Sequence, residues 1–127
     1  AAQYLAKTGV KVGITGFCMG GAVAILAACR VPEVSAAVVF YGLPPETAFK
    51  PSDIKVPLEG HYANIDDHIT PQRVDAFADA LKAAKRKFKF YRYEADHGFM
   101  NEQRDVHERK AAELGWQRML AFWKKHL

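Results

Sequence analysis

Four short apolar runs, separated by stretches whose apolar residues recur every three or four positions, set the plan of this chain. Residues 11–17, 34–41, 56–62 and 88–94 are rich in Val, Ile, Phe and Tyr and are predicted strands. Residues 19–29 predict a helix whose Ala22, Ala24, Ala27 and Ala28 allow close packing on a sheet. Thr70 and Pro71 supply an N-cap and a first helical position, after which Val74, Phe77, Ala78 and Leu81 line one face of a second helix. A last helix is expected to start between residues 105 and 111, with Trp116, Leu120, Trp123 and Leu127 as the face that packs on the sheet. Residues 1–9 read as closing helical turns ended by a glycine cap at Gly9, and residues 42–53 as a run of turn signals. Strands alternating with helices predict an α/β fold with a parallel sheet wound by right-handed crossovers, whose functional loops gather at the C-terminal ends of the strands.

At 127 residues, half of them hydrophobic and a quarter charged, the chain has the length and composition of one globular domain. No apolar run approaches the length of a membrane span. The net charge of +4 owes most to Lys82, Lys85, Arg86, Lys87, Lys89, Arg92, Lys124 and Lys125. No recognition motif accompanies them, so they are read as a solvated helix end and strand, with no nucleic-acid partner expected. Cys18 and Cys29 lie too far apart on one helix to bridge, which favours a reducing, cytoplasmic setting. Cys29 is read as packing. The sequence carries no cofactor motif. His61, Asp66, Asp67, His68 and His97 together match no metal-ligand spacing, and His61, His68, His107 and His126 are read as surface or locally satisfied histidines.

The chemistry concentrates after the first strand, in Gly16-Phe17-Cys18-Met19-Gly20-Gly21. A tight strand-to-helix turn strains the residue at its apex and needs small neighbours two positions either side, here Gly16 and Gly20. Cys18 would stand at the N-terminus of a helix, where free N–H groups and the helix dipole favour the thiolate. The N–H of Met19, just beyond it, is placed to donate to an oxyanion. Asp66 or Asp67 follows the third strand and His97 the fourth, so a nucleophile, an acid and an imidazole converge on one sheet edge.

This elbow resembles that of the dienelactone hydrolase family, within the α/β-hydrolase fold, in which cysteine replaces the usual serine. Asp67-His68-Ile69-Thr70-Pro71 is similar to the family's acid loop and Asp96-His97-Gly98-Phe99 to its histidine loop, in the same chain order. The resemblance implies a Cys18-Asp67-His97 triad, with Asp67 chosen over Asp66 by its register against Pro71. It implies a hydrolase of small esters or lactones working through an acyl-thioester, with Tyr62 and Phe99 as possible pocket residues. It also implies that residues 1–127 are the C-terminal portion of one α/β-hydrolase domain, with N-terminal strands and a second oxyanion donor upstream. Dienelactone-specific members carry an arginine shortly after the histidine, whereas here none occurs before Arg104. A broader carboxylesterase or thioesterase therefore stands as an alternative. From another class comes a non-catalytic half-domain that dimerises through the edge strand 11–17.

Overall fold

A computed structural model describes residues 1–101 and 108–127. The described elements run α1 (Ala2–Ala6), β1 (Val12–Phe17), α2 (Met19–Arg30), β2 (Val34–Phe40), β3 (Leu58–Ala63), α3 (Pro71–Ala83), β4 (Phe88–Tyr93) and α4 (Arg109–His126). Two single 3₁₀ turns, Glu46–Ala48 and Pro51–Asp53, fill the connection from β2 to β3. All three strand pairings are parallel, in the order β1-β2-β3-β4. This is the α/β architecture the periodicity predicts. β3 begins two residues later than expected because Pro57 has no N–H for a ladder; its carbonyl still accepts from Ala37 N–H at 3.0 Å.

Alternation along β2 assigns the layers. Ala37 and Val39 face a core shared with Ala24, Ile25 and Ala28 of α2 and Phe77 and Leu81 of α3. Val38 and Phe40 face the other side, where Ala111 and Met119 of α4 close a second core with Tyr93 and Phe99. Covered on both sides, β2 is apolar almost throughout, as a central parallel strand must be. α3 starts as its sequence specifies, with Thr70 Oγ1 accepting from Arg73 N–H at 3.3 Å and Pro71 in the first turn.

α4 corrects one expectation. Trp116, Leu120 and Leu127 do not pack on the sheet; all three remain about half exposed. The buried stripe is Ala111, Gly115 and Met119, one position round the helix. Small side chains at 111 and 115 let the helix backbone approach Phe40, which Trp116 in that place would prevent. Of the predicted face, Trp123 alone reaches inward, against the position of Gly13 on β1.

Candidate active site

β1 delivers Cys18 in a conformation that L-residues rarely adopt. Cys18 is the N-cap of α2 with φ 55° and ψ −122°, the strain expected at the apex of a strand-to-helix turn. The turn is pinned from both sides: Cys18 N–H donates to Phe40 O at 3.1 Å, and Cys18 O accepts from Gly21 N–H at 3.0 Å. Met19 is the first residue of α2, so its N–H has no intrahelical acceptor.

The glycines share the work differently from the sequence reading. A Cβ on Gly16 would overlap the backbone of Gly20, so position 16 requires glycine. A Cβ on Gly20 would meet open space, so Gly20 is not sterically required as an elbow glycine; its backbone is what crowds Gly16. The second obligatory glycine is Gly42, after β2, where a Cβ would overlap the carbonyl oxygen of Cys18 and press on Ala22 N at 2.6 Å. The turn signal around residue 42 was visible in the sequence, but its pressure against the elbow was not.

β3 and β4 bring the acid to the imidazole by continuing their pairing past the strand ends. Asn64 N–H donates to Tyr93 O at 2.8 Å and Ile65 N–H to Ala95 O at 3.1 Å, which carries residue 66 alongside the loop bearing His97. Asp66 Oδ2 lies 2.6 Å from His97 Nδ1. Its Oδ1 accepts from His68 N–H at 2.8 Å and Ile69 N–H at 2.9 Å. Asp66 is 3% exposed and Asp67 is exposed. The acid partner of His97 is therefore Asp66 and not Asp67. Counting forward from the end of β3 selects residue 66, because the ladder fixes that register; counting back from Pro71 selects residue 67, because it ignores the turn that Asp66 closes onto Ile69.

His97 is only partly covered, and its ring packs against Tyr41 at 5.0 Å and His68 at 5.5 Å between centroids. Tyr41, with φ 39°, was missed by the sequence reading; it lies buried at the end of β2 in the core that also takes in Cys18 and Phe99. Tyr62 and Phe99, read as possible pocket residues, are 1% and 0% exposed. Tyr62 donates its hydroxyl to Gly42 O at 3.0 Å, and burial pushes its pKa well up, so it braces the Gly42 turn as a neutral phenol. Burial likewise raises the pKa of Cys29, with Asp53 adding to the effect. Cys18 and Cys29 do not bridge to each other.

His61 sits apart, fully buried and stacked on Phe40. Its Nε2 lies 2.7 Å from Glu59 Oε1 and its Nδ1 2.7 Å from the hydroxyl of Tyr93, which also accepts from Arg118 Nη1 at 3.1 Å. Burial holds the His61 pKa below its ordinary value despite the Glu59 carboxylate, so a neutral ring donates to Glu59 and accepts from Tyr93. Arg104 and His107 lie outside the described residues. Among the described residues no helix is long and apolar enough to cross a membrane.

An open groove of about 830 Å³ beside the elbow is lined by Phe17, Met100 and residues of α4, including Trp116. The family model described as "Dienelactone hydrolase family" matches residues 1–127. The chain belongs to the dienelactone hydrolase family. A Yersinia pestis protein named "Putative carboxymethylenebutenolidase" is 35% identical over 126 residues, covering 91% of this chain and 47% of that protein. "Protein usf" of Aquifex pyrophilus is 36% identical over 121 residues, covering 92% and 52%. A Klebsiella pneumoniae crystal structure that carries the family's name superposes with TM-score 0.87 at 33% identity, over 98% of this chain and 57% of that one. The fold is thus a partial α/β-hydrolase fold, and the chain spans about half the length of the curated relatives it matches.

Proposed function

We propose that the chain carries the Cys18-Asp66-His97 machinery of a hydrolase that transfers the acyl group of a small ester or lactone to water. The observation that carries this reading is the Asp66–His97 hydrogen bond on the sheet edge where Cys18 occupies a strained elbow. His97 Nε2 takes the thiol proton of Cys18, and the thiolate attacks the carbonyl carbon while Met19 N–H donates to the oxyanion. His97 returns the proton to the departing alkoxide, leaving a thioester. It then deprotonates a water that attacks the thioester, releasing the carboxylic acid and regenerating the thiol. Asp66 holds Nδ1 protonated, so that Nε2 is the basic nitrogen throughout.

Incubation with an activated aryl ester, followed by mass spectrometry of the intact chain and of its peptides, tests this directly. An acyl adduct on Cys18 that decays in water, absent in Cys18→Ala, is the expected result. Turnover unchanged in Cys18→Ala would overturn the proposal.

A second reading rests on β1, which ends the sheet with Phe17 and, beside it, Met19 and Val23 of α2 exposed. An open parallel edge flanked by apolar side chains is suited to pairing with the same strand of a second copy. Light scattering showing a dimer that dissociates on dilution supports this; a monomer at high concentration excludes it.

A further inference from the structure

At the opposite end of the sheet, where β3 and β4 begin, a groove of about 410 Å³ opens between those strands and the C-terminal half of α4. Its lining includes Lys87, Lys89, Arg118, Lys125 and His126. Four of these, Lys87, Lys89, Arg118 and Lys125, are cations, and among the described residues none of the four forms an ion pair. The acid in the lining is Glu59, whose carboxylate is already engaged by His61 inside the core.

Two of the cations are held rather than merely tethered. The Arg118 guanidinium sits 4.0 Å from the centre of the Tyr91 ring and donates Nη1 to the Tyr93 hydroxyl at 3.1 Å, which leaves its other N–H groups for a ligand. The Lys89 ammonium lies 5.5 Å from the same Tyr91 ring. The His126 pKa is lowered first by desolvation and then by Lys87 and Lys125, with Glu59 opposing them, so its ring is a neutral neighbour of the four cations.

The geometry points to an anion-binding site in this groove, separate from the Cys18 edge, that takes a small phosphate-bearing molecule. A fixed guanidinium presents paired donors suited to phosphate oxygens, and the surrounding ammonium groups supply the charge a polyvalent anion requires. The volume falls in the range of small-molecule sites rather than of an extended nucleic-acid track.

Calorimetric titration of the 127-residue chain with inorganic pyrophosphate at low salt tests the assignment. Saturable one-site binding is expected. Arg118→Gln, and separately Lys125→Gln on the exposed surface, should each weaken it roughly tenfold, the equivalent of one charge-assisted hydrogen bond. Lys82→Gln, outside the groove, should leave it unchanged. Circular dichroism confirms the fold of each variant, and because Lys125 is exposed its variant keeps the test valid if Arg118→Gln unfolds. Absence of saturable binding, equal weakening by Lys82→Gln, or tighter binding of a DNA duplex that depends on Lys82 as much as on Lys125 would overturn the proposal.

Discussion

Replacing Asp66 by asparagine separates the two aspartates that the sequence leaves side by side. The introduced amide keeps a carbonyl oxygen for His68 N–H and Ile69 N–H, so the turn that positions the loop survives. What changes is the atom 2.6 Å from His97 Nδ1, from a carboxylate oxygen that accepts to an amide nitrogen that donates. Nδ1 must then accept, the proton moves to Nε2, and the nitrogen that takes the Cys18 proton in the proposed mechanism is blocked. The lost ionic hydrogen bond is worth about 1.5–3 kcal/mol, and a wrong tautomer in such an arrangement lowers turnover on the order of 10⁴-fold. Asp66→Ala also strips the acceptor from the buried Ile69 N–H, and the two losses sum to about 2.5–6 kcal/mol of stability. Imidazole ¹⁵N shifts read the tautomer, aryl-ester turnover reads the rate, and Asp67→Asn is the control because Asp67 is exposed. An unchanged His97 tautomer in Asp66→Asn, or a greater loss in Asp67→Asn, would refute the reasoning.

Three further outcomes follow from the geometry. Gly16→Ala and Gly42→Ala each force a Cβ into backbone around the elbow and should cost at least about 3 kcal/mol in denaturant melts, whereas Gly20→Ala faces open space and should be neutral or slightly stabilising. Because burial lowers the His61 pKa in the folded chain, the unfolded chain binds the proton first as pH falls through 6.5. His61's contribution is therefore complete above that pH and shrinks on acidification, so thermal melts of His61→Gln should lose part of the acid-side slope seen in the parent chain. Leu120→Gln, on an exposed α4 residue, should leave monomer stability within about 0.5 kcal/mol, unlike Met119→Ala, which opens a cavity costing about 2–4 kcal/mol in the buried stripe.

The alternating parallel α/β plan and the three site loops were legible because they depend on local patterns: apolar strand runs, the glycine-flanked cysteine, and the cap at Thr70. Four features were not, and each depends on a contact distant in sequence. The choice of Asp66 rests on backbone pairing between the loops after β3 and β4. The need for Gly42 rests on the Cys18 carbonyl 24 positions earlier (42 minus 18). The α4 stripe rests on how closely Phe40 allows a helix backbone to approach, so the two small residues at 111 and 115 decide the face against the larger apolar ones at 116 and 120. The His61–Tyr93 pair was hidden for the same reason, since Tyr93 lies 32 residues away on the neighbouring strand.

The central claim is that His97 and Asp66 activate Cys18, and the rate of thiol alkylation at each cysteine, read by peptide mass spectrometry, tests it most directly. Cys29 is the internal reference, partly covered and with its pKa raised by burial. Cys18 should be alkylated at least about tenfold faster at neutral pH, because a helix N-terminus and the proposed pairing with His97 both favour the thiolate. His97→Ala and Asp66→Asn should remove most of that advantage. Equal, slow labelling of both cysteines, or fast Cys18 labelling that ignores both substitutions, would contradict the account.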